Sequence, residues 1–213
     1  MEIPLNPLPV EAVDDDCQDV ADNAADRRIH ARHIKVMRIA RLSSRQLDAE
    51  GLGLVRDIST GGMMIDAHFD LQIGQPVCIA LLDDQALSGT IAWKDGRTVG
   101  VRFDSETPVQ DVLAKPLENP DGTRTRLPRF TINMEAEIAI ASRKFASKIC
   151  DISQRGAKLR CGPKLSMHSN VLIKAGENPP VRGTVKWRGG EFHGVEFHRL
   201  LSVEELAGWL RAD

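Results

Sequence analysis

From His33 onward the chain reads as short, β-branched-rich runs of strand length separated by turn residues. Apolar and polar positions predict strands near 34–42, 51–56, 63–67, 76–82, 87–93 and 97–103. Lys94-Asp95-Gly96-Arg97 predicts a hairpin between the last two, because Asp-Gly accommodates the positive φ of a two-residue turn, and Arg188-Gly189-Gly190-Glu191 repeats the device. A helical segment follows each hairpin, Pro108 to Leu117 and Ser202 to Arg211. In the second, Ser202 and Glu205 have capping-box spacing, and Val203, Leu206 and Leu210 recur on one face, predicting a helix packed on its barrel. The expected fold class is mainly β: two small antiparallel β-barrels, each with a C-terminal helix.

Two barrels are expected because the chain repeats itself. Asp57-Ile58-Ser59-Thr60-Gly61-Gly62 returns as Asp151-Ile152-Ser153-Gln154-Arg155-Gly156, 94 residues on. The same displacement superimposes Gly89-Thr90-Ile91-Ala92-Trp93 on Gly183-Thr184-Val185-Lys186-Trp187, and Gly100-Val101-Arg102-Phe103 on Gly194-Val195-Glu196-Phe197. Trp93, Val101 and Phe103 fall at core positions, and Trp93 and Trp187 are both read as packing residues. Glu118-Asn119-Pro120-Asp121-Gly122 carries a turn sequence with little that is apolar. The expected organisation is an acidic flexible arm over 1–26, a first domain over 27–117, a linker over 118–123 and a second domain over 124–213.

Charge and composition narrow the function. Residues 1–26 hold eight acids and no Lys or Arg, whereas Arg27, Arg28, Arg32, Lys35, Arg38, Arg41 and Arg45 all precede the next acid, Asp48. Such a patch suits an anionic ligand or stands as a solvated basic face. No apolar run approaches the roughly 18 residues of a membrane span, and a secretory start is lacking, so a cytoplasmic protein without membrane insertion is expected. Cys17, Cys78, Cys150 and Cys161 show neither ligand nor disulfide spacing, and the last three sit in apolar runs that suggest packing. His30-x-x-His33 lacks a nearby carboxylate or thiol, so neither a metal nor a cofactor is expected. With aromatics at 4% and no Tyr, stacking on DNA or RNA is not expected.

The repeated Asp-x-Ser-x-x-Gly turn has two readings. In the structural one, Asp and Ser cap backbone N–H groups and the glycine supplies a positive-φ position. In the other, the carboxylate accepts from the two N–H donors of a guanine Watson–Crick edge while Ser and Gly let a purine approach. Upstream of the first copy stands Arg28-x-x-x-Arg32, and two guanidinium forks four residues apart can reach different phosphates or bases of one bulky ligand. Arg28-x-x-x-Arg32 followed by Asp57-x-Ser59-x-x-Gly62 resembles the PilZ domain, a bacterial receptor for cyclic di-GMP, over about 27–115 and again 124–211. The resemblance implies that Arg28 and Arg32 wrap the ligand's phosphates and guanines, and that Asp57, Ser59, Gly61 and Gly62 form the guanine-recognising surface. Arg27 bears on whether the ligand enters as an intercalated dimer.

In the second copy Asp151, Ser153 and Gly156 match, but Arg124, Arg126 and Arg129 contain no i, i+4 pair. Aligning Arg129-Phe130 with Arg32-His33 leaves Thr125 where the first arginine belongs, and Arg155 replaces Gly61. The second site is therefore expected to be weak or absent. The leading expectation is a non-enzymatic receptor, with cyclic di-GMP and an unidentified protein as partners, signalling by rearrangement toward the second domain or a partner protein. A tandem interaction scaffold that has lost nucleotide binding is the alternative.

Overall fold

Alternation along each strand, inward apolar and outward polar, is what closes these strands into barrels. The computed structural model describes residues 34–44, 49–83, 85–113 and 126–211. The arm over 1–26, the Arg27–Arg32 segment and the linker over 118–123 lie outside the described residues. The first barrel comprises β1 (Ile34–Ser44), β2 (Ala49–Ser59), β3 (Gly62–Ala67), β4 (Pro76–Leu82), β5 (Gln85–Asp95) and β6 (Thr98–Phe103), followed by a short helix α1 (Val109–Leu113). The second comprises β7 (Phe130–Ile140), β8 (Arg143–Ser153), β9 (Gly156–Arg160), β10 (Asn170–Lys174), β11 (Val181–Gly189) and β12 (Phe192–Phe197), followed by α2 (Val203–Arg211). Both sheets are closed and antiparallel, with neighbours in the order β1-β2-β3-β6-β5-β4 and β7-β8-β9-β12-β11-β10.

Both hairpins form, but one residue later than Asp-Gly and Gly-Gly imply: Asp95 pairs with Thr98 and Gly189 with Phe192, which leaves Gly96-Arg97 and Gly190-Glu191 as the two-residue turns, with Gly96 at φ 57° and Gly190 at φ 61°. In α2 the capping box closes reciprocally: Glu205 N–H donates to Ser202 Oγ (3.1 Å) and Ser202 N–H donates to Glu205 Oε2 (2.8 Å). Ala40, Leu42, Val55, Ile58, Ile65, Ile79 and Val101 fill the first core. The second core gathers Phe130, Ile138, Ile149, Leu159 and Val185 with Leu206 and Trp209 of α2. It also takes in Ile39 and Leu52, which come from the first barrel. Strands β1 and β2 are thus apolar on both faces, with Ala40, Leu42 and Val55 turned into their own barrel and Ile39 and Leu52 turned out onto the next. Arg41 Nη1 also donates to Arg129 O (3.2 Å), and Thr131 N–H donates to Glu50 Oε1 (3.1 Å). These bonds fix the entry to β7 against the first barrel. No helix among the described residues is long and apolar enough to cross a membrane.

Candidate functional site

The candidate site is assembled by strand register. In β2 the pairing with β3 shifts between Val55 and Asp57, and in β5 the pairing with β6 shifts between Ile91 and Trp93. Each shift inserts one extra residue, so Asp57 and Trp93, which alternation would turn inward with Val55 and Ile91, point to the outer surface instead. Asp57 pairs with Met64, Met64 with Gly100, and Gly100 with Trp93. These four residues form one row across β2, β3, β6 and β5, spanning three strand spacings, or ~14 Å. The adjoining row runs Ser59, Gly62, Arg102 and Thr90. Asp57, Ser59, Gly61, Gly62, Met64, Trp93, Gly100 and Arg102 line a shared cleft of about 450 Å³.

Each member has a local physical reason to be where it is. The Ser59 hydroxyl donates to Gly62 O across the turn (3.2 Å) rather than capping a backbone N–H. Gly62 is not a positive-φ residue, contrary to the structural reading of the motif. A Cβ there would stand 2.2 Å from Val101 O, so glycine is needed for β3 to approach β6. Gly61 faces open space, while its carbonyl accepts from Phe103 N–H (2.9 Å) and fixes the turn to the end of β6. At Gly100 a Cβ would stand 2.0 Å from Trp93 Nε1, so the indole lies against bare backbone. Trp93 is 43% exposed, which overturns its reading as a packing residue. Met64, Trp93, Gly100 and Arg102 are cleft residues that the motif did not supply. The Trp/Gly pairing at matching places in both repeats was the available signal.

The second barrel repeats this geometry with other chemistry. Its rows are Asp151–Lys158–Gly194–Trp187 and Ser153–Gly156–Glu196–Thr184. Trp187 is likewise 43% exposed, lies on Gly194, and is not a packing residue. Lys158 stands where the first barrel has Met64, Glu196 where it has Arg102, and Arg155 where it has Gly61. Asp151 is ion-paired to Arg129 at 2.6 Å, Lys186 to Glu196 at 3.0 Å, and the cleft is smaller, about 260 Å³.

Register also corrects the alignment upstream. Ile34 pairs with Ile58 and Phe130 with Ile152, so before the β1–β2 turn the repeat displacement is 96, not 94. The β7–β8 turn is two residues shorter than its counterpart. Counted back along the chain, Arg124 takes the place of Arg28, Pro128 that of Arg32 and Arg129 that of His33. The second copy thus keeps an arginine at the place of Arg28 and has a proline at that of Arg32, the reverse of the alignment made through Arg129-Phe130.

Other constellations reduce to packing. Cys161 Sγ lies 3.4 Å from His193 Nδ1, while Leu165 N–H donates to Nε2 (3.1 Å). Burial pushes the thiol up and the imidazole down, so the pair stays neutral. Among the described residues no cluster of three or more His, Cys, Asp or Glu could hold a metal ion. On the first barrel Asp66 accepts from Arg56 Nε (2.6 Å) and Thr98 Oγ1 (2.9 Å). Burial opposes its ionisation, but these bonds outweigh it and hold the carboxyl below its ordinary range.

A family model for the PilZ domain matches residues 26–115 and again 123–211. Among solved structures, the chain is similar to the PlzA protein of Borreliella burgdorferi in complex with c-di-GMP, at 14% identity over 88% of this chain and 97% of that one, with a TM-score of 0.38. It is also similar to the Bacillus subtilis inhibitor of motility MotI/DgrA, at 10% identity over 82% and 93%, with a TM-score of 0.32. A third is the K. pneumonia MrkH–c-di-GMP complex, at 12% identity over 90% and 90%, with a TM-score of 0.31. No curated protein matches the chain.

Proposed function

This chain belongs to the PilZ domain family and carries two PilZ domains in tandem, and from that premise we propose that its first barrel is a non-enzymatic receptor for cyclic di-GMP. One observation carries the reading: the register shifts of β2 and β5 turn Asp57 and Trp93 out onto a single row. The Asp57 carboxylate accepts from the Watson–Crick edge of one guanine, and Trp93 offers a flat apolar face for a base. Gly61, Gly62 and Gly100 leave the floor between them bare of side chains beyond Met64. Arg102 stands beside the floor as a phosphate contact. Arg28 and Arg32, with Arg27, close on the phosphates and guanines from the segment before β1; their part rests on sequence alone.

The second barrel is not an equivalent receptor. It has Pro128 at the second clamp position, Lys158 in place of the apolar floor residue, and Glu196 where Arg102 would meet a phosphate. Its role toward the first barrel is mechanical. Contact of Arg28 and Arg32 with the ligand acts on the chain just before β1, a strand whose outer face, with Ile39, is already part of the second core. Ligand binding is thereby passed on to the second barrel and to a protein partner.

Calorimetric titration of cyclic di-GMP into the whole chain and into Arg32→Ala and Asp57→Ala tests the assignment. Each charge-assisted contact is worth about 1.5–3 kcal/mol, so each variant should lose roughly ten- to a hundred-fold in affinity. Unchanged affinity in both variants, or absence of binding by the whole chain, favours the scaffold reading instead.

A further inference from the structure

The two barrels share one backbone plan but have diverged in charge. Residues 124–213 hold 16 Lys and Arg against nine Asp and Glu, although the whole chain is formally −2. Much of this excess lies on the outer face of β8, β9, β12 and β11. There Lys158 occupies the place of Met64, Arg160 that of Asp66, Lys186 that of Ala92 and Arg155 that of Gly61, and Phe192 replaces Thr98. Lys148, Arg160 and Phe192 form a row beside Lys158, Gly194 and Trp187. Lys148 and Lys186 are paired with Glu135 and Glu196, but Arg155, Lys158 and Arg160 have no ion pair among the described residues. Lys158 Nζ instead stands 4.5 Å over the Phe192 ring, and the half-exposed indole of Trp187 lies flat on Gly194.

A purely solvated face needs no aromatic platform, and a site for an acidic polypeptide needs no flat apolar surface beside its cations. We infer that this face of the second barrel binds single-stranded nucleic acid, with a base stacked on Trp187 and the phosphate backbone tracking over Arg155, Lys158 and Arg160. A single strand fits better than a duplex, because only an unstacked base can present its face to an indole set in a cleft. Low aromatic content overall argued against nucleic acid from sequence; register concentrates two of the few aromatics on the one surface where the cations gather.

Anisotropy of fluorescein-labelled dT15 titrated with the whole protein, at several salt concentrations, tests this. Restoring the first barrel's residues (Arg155→Gly, Lys158→Met, Arg160→Asp) makes a variant whose side chains the same backbone plan already accommodates, and circular dichroism checks that it folds. It should lose at least tenfold in affinity at low salt, and its slope of log affinity against log salt should flatten by about 2, given ~0.7 per phosphate neutralised on a single strand. Trp187→Ala should cost about fivefold or more, and Trp187→Phe should retain most of the binding. Affinity should rise from dT3 to dT15. The inference is overturned by absence of binding at low salt, by affinity independent of length, which marks an isolated nucleotide pocket, or by equally tight binding of polyglutamate that is indifferent to Trp187, which marks a surface for acidic polypeptide.

Discussion

Gly100→Ala separates the ligand platform from the fold more cleanly than any change to a charged residue. The new Cβ would stand 2.0 Å from Trp93 Nε1, 2.2 Å from Cε2 and 2.6 Å from Cδ1. Carbon–carbon contacts settle near 3.5–4.0 Å, so the indole must retreat by about 1.5 Å or swing off the strand. All three nearest atoms belong to the Trp93 side chain, which is already 43% exposed and is free to move without opening the core. The fold should therefore lose only about 1 kcal/mol, the scale of an exposed aromatic contact. Ligand binding should suffer more, because a base stacked on an aromatic face is worth about 1–3 kcal/mol, or roughly five- to a hundred-fold in affinity. Calorimetry with cyclic di-GMP measures the second quantity and urea denaturation the first. Affinity within twofold of the parent, with the indole shown by its fluorescence to have moved, would refute the role given to Trp93.

Three further outcomes follow from the packing. Gly62→Ala forces a Cβ to within 2.2 Å of the Val101 carbonyl and should cost about 1–3 kcal/mol in denaturant unfolding, whereas Gly61→Ala, facing open space, should stay within about 0.5 kcal/mol. Leu52→Ala should cost about 2–5 kcal/mol and, because Leu52 belongs to the second core, should lower hydrogen-exchange protection in α2 and β7 as well as in its own barrel. Glu205 accepts from Arg199 and from Ser202 N–H, which hold its pKa down at about 2 against the usual 4.5. A folded value below the unfolded one makes its contribution full above about pH 4.5 and lost as pH falls toward 2. Glu205→Gln should therefore cost about 1 kcal/mol at pH 7, a difference that urea curves should show vanishing near pH 2.

The strands and the places of the hairpins were legible because alternation and a turn glycine act locally, but the turns themselves fall one residue later, at Gly96-Arg97 and Gly190-Glu191. The capping box of α2 was legible for the same reason. Trp93 was not, because its place two residues after Ile91 implies the inward face, and only the one-residue register shift turns it out. Asp57 was recognised through its motif, although the same parity with Val55 would have buried it. Upstream of the second motif, the two-residue difference between the β1–β2 and β7–β8 turns changed the displacement from 94 to 96 and hid the equivalence of Arg28 with Arg124. The outward apolar face of β1 and β2 was also missed, since Ile39 and Leu52 look like core residues of their own barrel until the second core is seen to claim them.

The three tryptophans let one measurement locate cyclic di-GMP on the first barrel. Trp93 lies in the first cleft, Trp187 in the second, and Trp209 is buried in α2. Each gives its own indole N–H signal in a nitrogen-correlated NMR spectrum, so a titration with cyclic di-GMP reports both binding and location. The Trp93 signal should move saturably, Trp187 and Trp209 should change little, and Asp57→Ala should abolish the movement. A shift confined to Trp187, or three unmoved signals at saturating ligand, would contradict that placement.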